Sequence, residues 1–370
     1  MKIRQWVYAH PMRDSVLEPS LFELRELPVP ALEAGQALVR VKLINVHAAT
    51  RQRLASGATP LGGTDRSNYA CAEVIRSRDP AFREGDLIAC QAGWQDLQVI
   101  SSAEPAVGYA PTSEPVQALN RTRSQWCYAF RPGLAGRWPS AVLMDVFGTS
   151  GMTAWFGMRE CGPLRPGEQV AVAAVTGSVG SLVAQLARHA GCRVVGIAGD
   201  PEACAWARDT LRVDACVDYR AADFEQRLAA AFPQGIDLGS DGVGGRMTEC
   251  LVGQLKARGR LFSYGSAASF YREVLDTTPR PGRPLREAFG LTPALEEVVQ
   301  SRGIDVQAWI VDKFYDQRLQ AEDELSRLLS EGAIRPVHRV VDGFEQLPAA
   351  ISSLYRTLRF GKLQIRFVVD

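Results

Sequence analysis

The segment Gln169-Val170-Ala171-Val172-Ala173-Ala174-Val175-Thr176-Gly177-Ser178-Val179-Gly180-Ser181-Leu182 constrains this chain more than any other. A short apolar run ends in a glycine turn, and the turn opens into a helix-forming stretch. Because the run is apolar almost throughout, it reads as a strand buried on both faces, as in a parallel sheet. Gly177 allows a ligand close to the backbone, and Gly180 lets the helix pack tightly on the strand. A helix N-terminus also offers unpaired N–H groups and the positive end of a dipole, which favour an anion such as a pyrophosphate. The glycine spacing alone is common. Here it has the strand before it, the helix after it and a βαβ unit around it, as a dinucleotide-binding turn requires.

From about residue 167 apolar runs alternate with helical segments. Strands are expected at Gln169–Val175, Cys192–Ala198, Val213–Tyr219, Ile236–Ser240, Gly259–Tyr264 and Ile304–Val311. Helices are expected at Ser181–Ala190, Pro201–Leu211, Asp223–Phe232, Arg246–Ala257 and Leu285–Arg302. That rhythm predicts a doubly wound parallel sheet with right-handed crossovers. Residues 1–145 read instead as β-rich, with Leu38–Ile44 alternating at period two and shorter runs at Cys71–Ile75 and Asp86–Cys90. The tail adds an amphipathic helix, Leu319–Glu331, and a closing strand, Leu363–Val369. The stretch 101–140 has no clear period and is long for a loop in a compact domain.

At 370 residues two domains are expected, and 46% hydrophobic residues can supply two cores. A net charge of +1 gives no reason to expect nucleic acid or an anionic membrane as partner. No run approaches the ~18 apolar residues of a membrane span. The start, Met1-Lys2-Ile3-Arg4-Gln5-Trp6, has no signal-peptide pattern, so a cytoplasmic location is expected. None of the eight cysteines forms a Cys-x-x-Cys pair, which suggests buried reduced thiols. The histidines at 10, 47, 189 and 338 are isolated, and no set of three or four metal ligands is apparent.

The end of the second strand, Val195-Gly196-Ile197-Ala198-Gly199-Asp200, should meet the adenosine ribose. Ala198 is small and leaves room for a 2′-phosphate. Asp200 reads better as the cap of the next helix, ahead of Pro201, than as a ribose ligand.

Several motifs now stand in one order: Gly148-Thr149-Ser150-Gly151-Met152-Thr153-Ala154-Trp155-Phe156-Gly157, Leu164-Arg165-Pro166-Gly167-Glu168, the glycine turn, Val194–Gly199, Asp241-Gly242-Val243-Gly244-Gly245, Gly343-Phe344-Glu345-Gln346-Leu347-Pro348-Ala349-Ala350, and Gly361-Lys362. With them the chain resembles the zinc-independent medium-chain dehydrogenases/reductases, particularly the leukotriene hydroxydehydrogenase/prostaglandin reductase group. The resemblance implies a GroES-like β-rich catalytic domain built from both chain ends (1–145 and 312–370) around a Rossmann-like dinucleotide-binding domain (146–311). It implies NADP(H) as cofactor, a small-molecule enone or alkenal reduced at its C=C bond, no metal, and a homodimer joined through Ile304–Val311. On the cofactor side it points to Thr149, Gly177, Ser178, Val179, Gly180, Ala198, Gly199, Tyr219, Arg220, Asp241, Gly265 and Arg359.

The departures gather at the site. The family's lysine for the 2′-phosphate falls on Ala203, its ring tyrosine on Phe270 with Tyr271 adjacent, and its two asparagines on Gly242 and Arg359. Arg220 or Arg359 is the expected replacement cation, since an arginine grips phosphate well. The substrate-side motif reads His47-Ala48-Ala49-Thr50-Arg51, without its tyrosine. Tyr271, His47 and Tyr264 are the candidate catalytic groups; Arg51, Tyr69 and Trp94 are placed on the substrate side. The aromatic stretch 116–140, with Trp126, Tyr128, Phe130 and Trp138, is either a lid for a bulky, polyketide-like substrate or a loop with aromatic anchors. Two other functions fit the same scaffold. One is a non-redox step such as cyclisation, condensation or dehydration in specialised metabolism, with nucleotide binding lost. The other is a protein that senses NADPH without using it.

Overall fold

The computed structural model describes residues 1–104, 127–269, 284–355 and 360–367. Before the segment of alternating strands and helices lie β1 (Lys2–Tyr8), β2 (Phe22–Pro28), β3 (Ala37–Asn45), β4 (Asn68–Ser77), β5 (Leu87–Ala92), β6 (Leu97–Ile100) and β7 (Tyr128–Ala129). The alternating segment supplies β8 (Gln169–Ala173), β9 (Arg193–Ala198), β10 (Ala215–Asp218), β11 (Ile236–Asp241), β12 (Leu255–Ser263) and β13 (Asp305–Ala308); the tail adds β14 (His338–Asp342) and β15 (Lys362–Arg366).

β8 to β13 form one parallel sheet in the order β10-β9-β8-β11-β12-β13. The chain winds outward from β8 to one side, then crosses to β11 and winds to the other. Such a reversal leaves a crevice beyond the carboxyl ends of the strands, where α/β proteins bind ligands. Val170, Ala171, Val172 and Ala173 are fully buried because helices cover both faces, as the unbroken apolar run predicts. The helix Ser178–His189 turns Leu182, Val183 and Ala187 onto the sheet. Fully burying a side chain of Leu or Val size stabilises by about 1.5–3 kcal/mol.

The second sheet runs β14-β15-β3-β4-β5-β7, with β6 also pairing β3. β15 lies antiparallel to β3, so the tail completes a sheet begun by the N-terminal segment. A polar clamp ties this sheet to the helix Ser140–Asp145: Asn45 Nδ2 donates to the Met144 carbonyl (3.1 Å), while Gln364 Nε2 donates to Asn45 Oδ1 and to the Ala141 carbonyl (3.0 Å each).

Several boundaries differ from expectation for local reasons. The expected helix Leu285–Arg302 is two helices, Leu285–Ala288 and Pro293–Ser301, because Gly290 adopts φ 109° and Thr292 caps a fresh start at Pro293. The helix from Arg246 stops at Gln254; the chain enters β12 at Leu255 and passes a left-handed residue at Arg258 (φ 62°). β13 is shorter than Ile304–Val311 because a tight turn of 3-10 helix takes over at Val311. In the aromatic stretch, Tyr128 and Phe130 are buried anchors (5% exposed each), with the Arg318 guanidinium 4.2 Å over the Tyr128 ring. The described part thus behaves as a packed loop base; Trp126 lies outside the described residues.

Candidate active site

The glycine turn is built as a cradle. Ala174 is left-handed (φ 48°), which aims its carbonyl back across the turn. A Cβ on Gly180 would sit 2.4 Å from that oxygen and 3.0 Å from its carbon, so only glycine fits. Gly177 precedes the helix Ser178–His189 with no side-chain cap on its first N–H groups. Residues 176–179 are partly exposed. Uncapped donors at the positive end of a 12-residue helix, beside open space, suit a pyrophosphate.

The adenosine side follows at the tip of β9. Asp200 accepts a hydrogen bond from the Ala203 N–H (2.7 Å) and so serves as the helix cap rather than a ribose ligand. Ala203 is 1% exposed, so no cation comes from the position where the family has its lysine. Ala198 is small and buried, and the Tyr219 ring lies against Gly199. The guanidinium of the exposed Arg220 sits 5.8 Å from the centre of the Tyr219 ring, beside that tip.

At the far end of the crevice Asp241 does not reach outward. It is fully buried, with Oδ1 accepting from the Val243 and Gly244 N–H groups (2.8 and 3.1 Å) and Oδ2 from the Thr248 hydroxyl (2.6 Å). The carboxylate folds the turn. Tyr264 follows β12, its ring packed on Phe262 (4.8 Å) and across Gly242, where a Cβ would lie 2.4 Å from the ring. That wedge explains why glycine stands where the family carries asparagine. Burial and the Asp241 carboxylate push the Tyr264 hydroxyl up, so it stays protonated. A Cβ on Gly265 would lie 3.1 Å from the Gly242 carbonyl oxygen, and Thr149 opens the helix Thr149–Glu160 with its carbonyl bonded by the Thr153 hydroxyl (2.6 Å).

His47 follows β3 of the second sheet. Its Nδ1 accepts from the Ala49 N–H (3.1 Å), which leaves the proton of the neutral ring on Nε2. Burial, reinforced by the charge of Lys362, lowers His47 to about 4, so the ring is uncharged at neutral pH. Asp65 is a packing hub. It accepts from the Thr50 hydroxyl (2.6 Å), the Ser67 hydroxyl (2.7 Å) and N–H (3.0 Å), Arg53 Nε (3.1 Å) and Asn68 Nδ2 (3.2 Å). Among the described residues no cluster of His, Cys, Asp or Glu could hold a metal ion.

Three substrate-side expectations change. Arg51 is 7% exposed and gives its Nε to the Ser15 carbonyl (2.6 Å), with Tyr355 stacked 5.6 Å from its guanidinium; it braces the loop before β2. Trp94 is core, 2% exposed and 4.8 Å from the Phe22 ring. Tyr69 is likewise buried in β4. Tyr271 and Arg359 lie outside the described residues. Sequence reasoning missed Asp145 and His338, which meet at 3.1 Å though 193 residues apart. It also left Lys362 without a role, although the Gly361-Lys362 pair was visible.

Two contacts join the tail before β15 to the parallel-sheet segment. The Gly361 N–H donates to the Thr176 carbonyl of the glycine turn (2.7 Å). Phe360 stacks on Trp206 of the helix Pro201–Thr210, with centroids 4.5 Å apart.

Residues 4–107 match a family described as the N-terminal domain of oxidoreductase, and residues 178–279 one described as zinc-binding dehydrogenase. An NADPH-dependent curcumin reductase of Escherichia coli is 29% identical, covering 99% of this chain and 97% of its own. Mouse prostaglandin reductase 1 is 28% identical, with 93% of each covered. A crystal structure of CurA from Vibrio vulnificus in complex with NADPH superposes with a TM-score of 0.76 at 26% identity, covering 99% of this chain and 100% of that one.

Proposed function

The chain belongs to the zinc-independent medium-chain dehydrogenase/reductase superfamily, in its enone-reductase group, and on that footing we propose that it uses NADPH to reduce the C=C bond of an α,β-unsaturated ketone or aldehyde. The observation that carries the cofactor assignment is the cradle of Gly177 and Gly180 beside a strand tip whose one acid, Asp200, is spent on a helix cap. With no acid for a ribose 2′-hydroxyl, a small Ala198 and a nearby Arg220, that tip favours a 2′-phosphate. When bound, NADPH would supply hydride to the β-carbon of the substrate.

The chain's own residues would do the rest. Ser178, Val179 and Gly180 would hold the pyrophosphate through their N–H groups, and Thr149, Gly199, Tyr219 and Gly265 would shape the walls. His47, neutral and donating from Nε2, would polarise the substrate carbonyl, with the Tyr264 hydroxyl as a second donor. The domain limits 1–145 with 312–370, and 146–311, and a homodimer through the open edge of β13, belong to the same reading. A bulky, specialised substrate is the finer form of the same reading.

The test is to mix the protein with NADPH and a panel of enones and enals, following loss of reduced-nicotinamide absorbance and identifying products by mass. A saturated carbonyl two hydrogens heavier is expected. An allylic alcohol, or no NADPH consumption with any member, would overturn the proposal.

A further inference from the structure

We propose that Lys362 is a catalytic proton donor in this reduction, set beside His338 with Asp145 as the nearby buried counter-group; the inference rests on the reductase reading above.

Strand register puts the three side chains abreast. β15 pairs with β3 through Gln364↔Asn45, Ile365↔Ile44 and Arg366↔Leu43, and the Val46 N–H donates to the Leu363 carbonyl (2.9 Å). One further step along that antiparallel register sets Lys362 opposite His47. In the parallel pair β14–β15, His338 is the direct partner of Lys362. Side chains alternate along a strand, so Lys362 shares a face with Gln364, and His47 shares one with Asn45. Gln364 and Asn45 bond to the helix Ser140–Asp145. The row His47, Lys362, His338 therefore lies on that same face, at the helix's Asp145 end.

Asp145 is the buried counter-group. It is 1% exposed; its Oδ2 takes the Val337 N–H (2.9 Å) and lies 3.1 Å from His338 Nδ1, while its Oδ1 has no hydrogen-bond partner. His47, Lys362 and His338 are each partly exposed, as groups lining a cleft should be. The backbone just before Lys362 is pinned to the glycine turn by the Gly361–Thr176 hydrogen bond. Gly361 is left-handed (φ 73°), and a Cβ there would meet the Val337 carbonyl at 2.0 Å. This fixes the strand entry, and with it the Lys362 backbone, next to the cofactor cradle.

Chemistry selects Lys362 from the row. His338 is engaged through Nδ1 with Asp145 Oδ2 (3.1 Å), the neutral His47 can donate a hydrogen bond but holds its last proton too tightly to give up, and outside the row the Tyr264 hydroxyl is pushed up. Lys362 is a cation whose burial lowers its pKa, with Asp145 opposing. The charged and titratable groups around it are Asp145, His338 and His47, and through His47 also Asp65 and Arg53.

In the step, hydride forms a C–H bond at the β-carbon and the π pair moves to the carbonyl oxygen as an enolate. An N–H bond of Lys362 then breaks, and its proton forms the new bond at the α-carbon. The neutral amine regains a proton from water, so substrate gains two hydrogens and the nicotinamide is oxidised.

The test combines two readouts on the full chain. Competitive acylation of the wild type with acetic anhydride across pH, read by mass spectrometry, should give Lys362 a pKa below that of ordinary lysines and slower labelling with NADP⁺ bound. Lys362→Met should lower kcat at least about 100-fold with NADPH affinity within about threefold, and abolish the alkaline limb of the pH profile. Lys362→Arg, which keeps the charge but not a transferable proton, should be as slow as Lys362→Met. Full activity in Lys362→Met, rescue by arginine, or labelling at an ordinary lysine pKa without protection would overturn the proposal while leaving the reductase intact. A wild type that reduces no enone would bring down the reductase reading itself.

Discussion

Gly180→Ala isolates the geometry of the cofactor cradle. The new methyl would stand 2.4 Å from the Ala174 carbonyl oxygen, 3.0 Å from its carbon and 3.1 Å from Val175 Cα, all backbone atoms that cannot rotate away. Ordinary contact begins about 1 Å further out, so the helix Ser178–His189 must lift from β8 or the left-handed Ala174 must give. Overpacking of this kind costs about 1–3 kcal/mol. In a domain of this size that lowers the melting temperature by roughly 2–10 °C. The lift also moves the helix N-terminus away from the phosphate. Losing one charge-assisted hydrogen bond, about 1.5–3 kcal/mol, weakens NADPH binding about 10- to 100-fold. Differential scanning fluorimetry and calorimetric titration read the two effects. Gly177→Ala is the control: its Cβ lies 3.1 Å from the same oxygen at an ordinary φ of −77°, so it should cost under about 1 kcal/mol of fold stability. A Gly180→Ala protein that melts with the wild type and binds NADPH equally well would refute the reasoning.

Arg220→Ala should weaken NADPH binding about tenfold and leave NADH binding unchanged, because the guanidinium is assigned to the 2′-phosphate alone; parallel titrations of both nucleotides check this. Asp65→Ala leaves Thr50, Ser67, Asn68 and Arg53 without their shared acceptor and should cost about 3–5 kcal/mol in urea unfolding. His47 has a folded-state pKa of about 4 against an ordinary 6.5, so the folded protein resists a proton that the unfolded chain accepts. Stability is therefore full above pH 6.5 and is lost as pH falls toward 4, by roughly 1–3 kcal/mol with the partly exposed ring discounted. His47→Gln should flatten that slope, and an unchanged slope would remove His47 as its cause.

The cofactor half was legible because its signals are local. An unbroken apolar run, a glycine turn and a helix-forming stretch follow one another within 14 residues, and their geometry needs no distant partner. Asp200 was readable as a cap for the same reason, with Pro201 beside it. The catalytic half was legible only in outline. Asp145 meets His338, and His47 stands abreast of Lys362, only after β15 pairs with β3 across 319 residues. No periodicity in either segment encodes that register. Arg51 and Trp94 looked like site residues because polar and aromatic groups near a motif draw attention. Their burial against Tyr355 and Phe22 depends on tertiary packing that composition does not reveal.

The most direct test of the account is a calorimetric titration of the purified protein with NADPH and, separately, NADH. The cradle and strand tip predict NADPH binding at about micromolar Kd, with NADH at least about tenfold weaker. Equal affinities would contradict the 2′-phosphate assignment, and no binding of either nucleotide at about millimolar concentration would contradict the reductase itself.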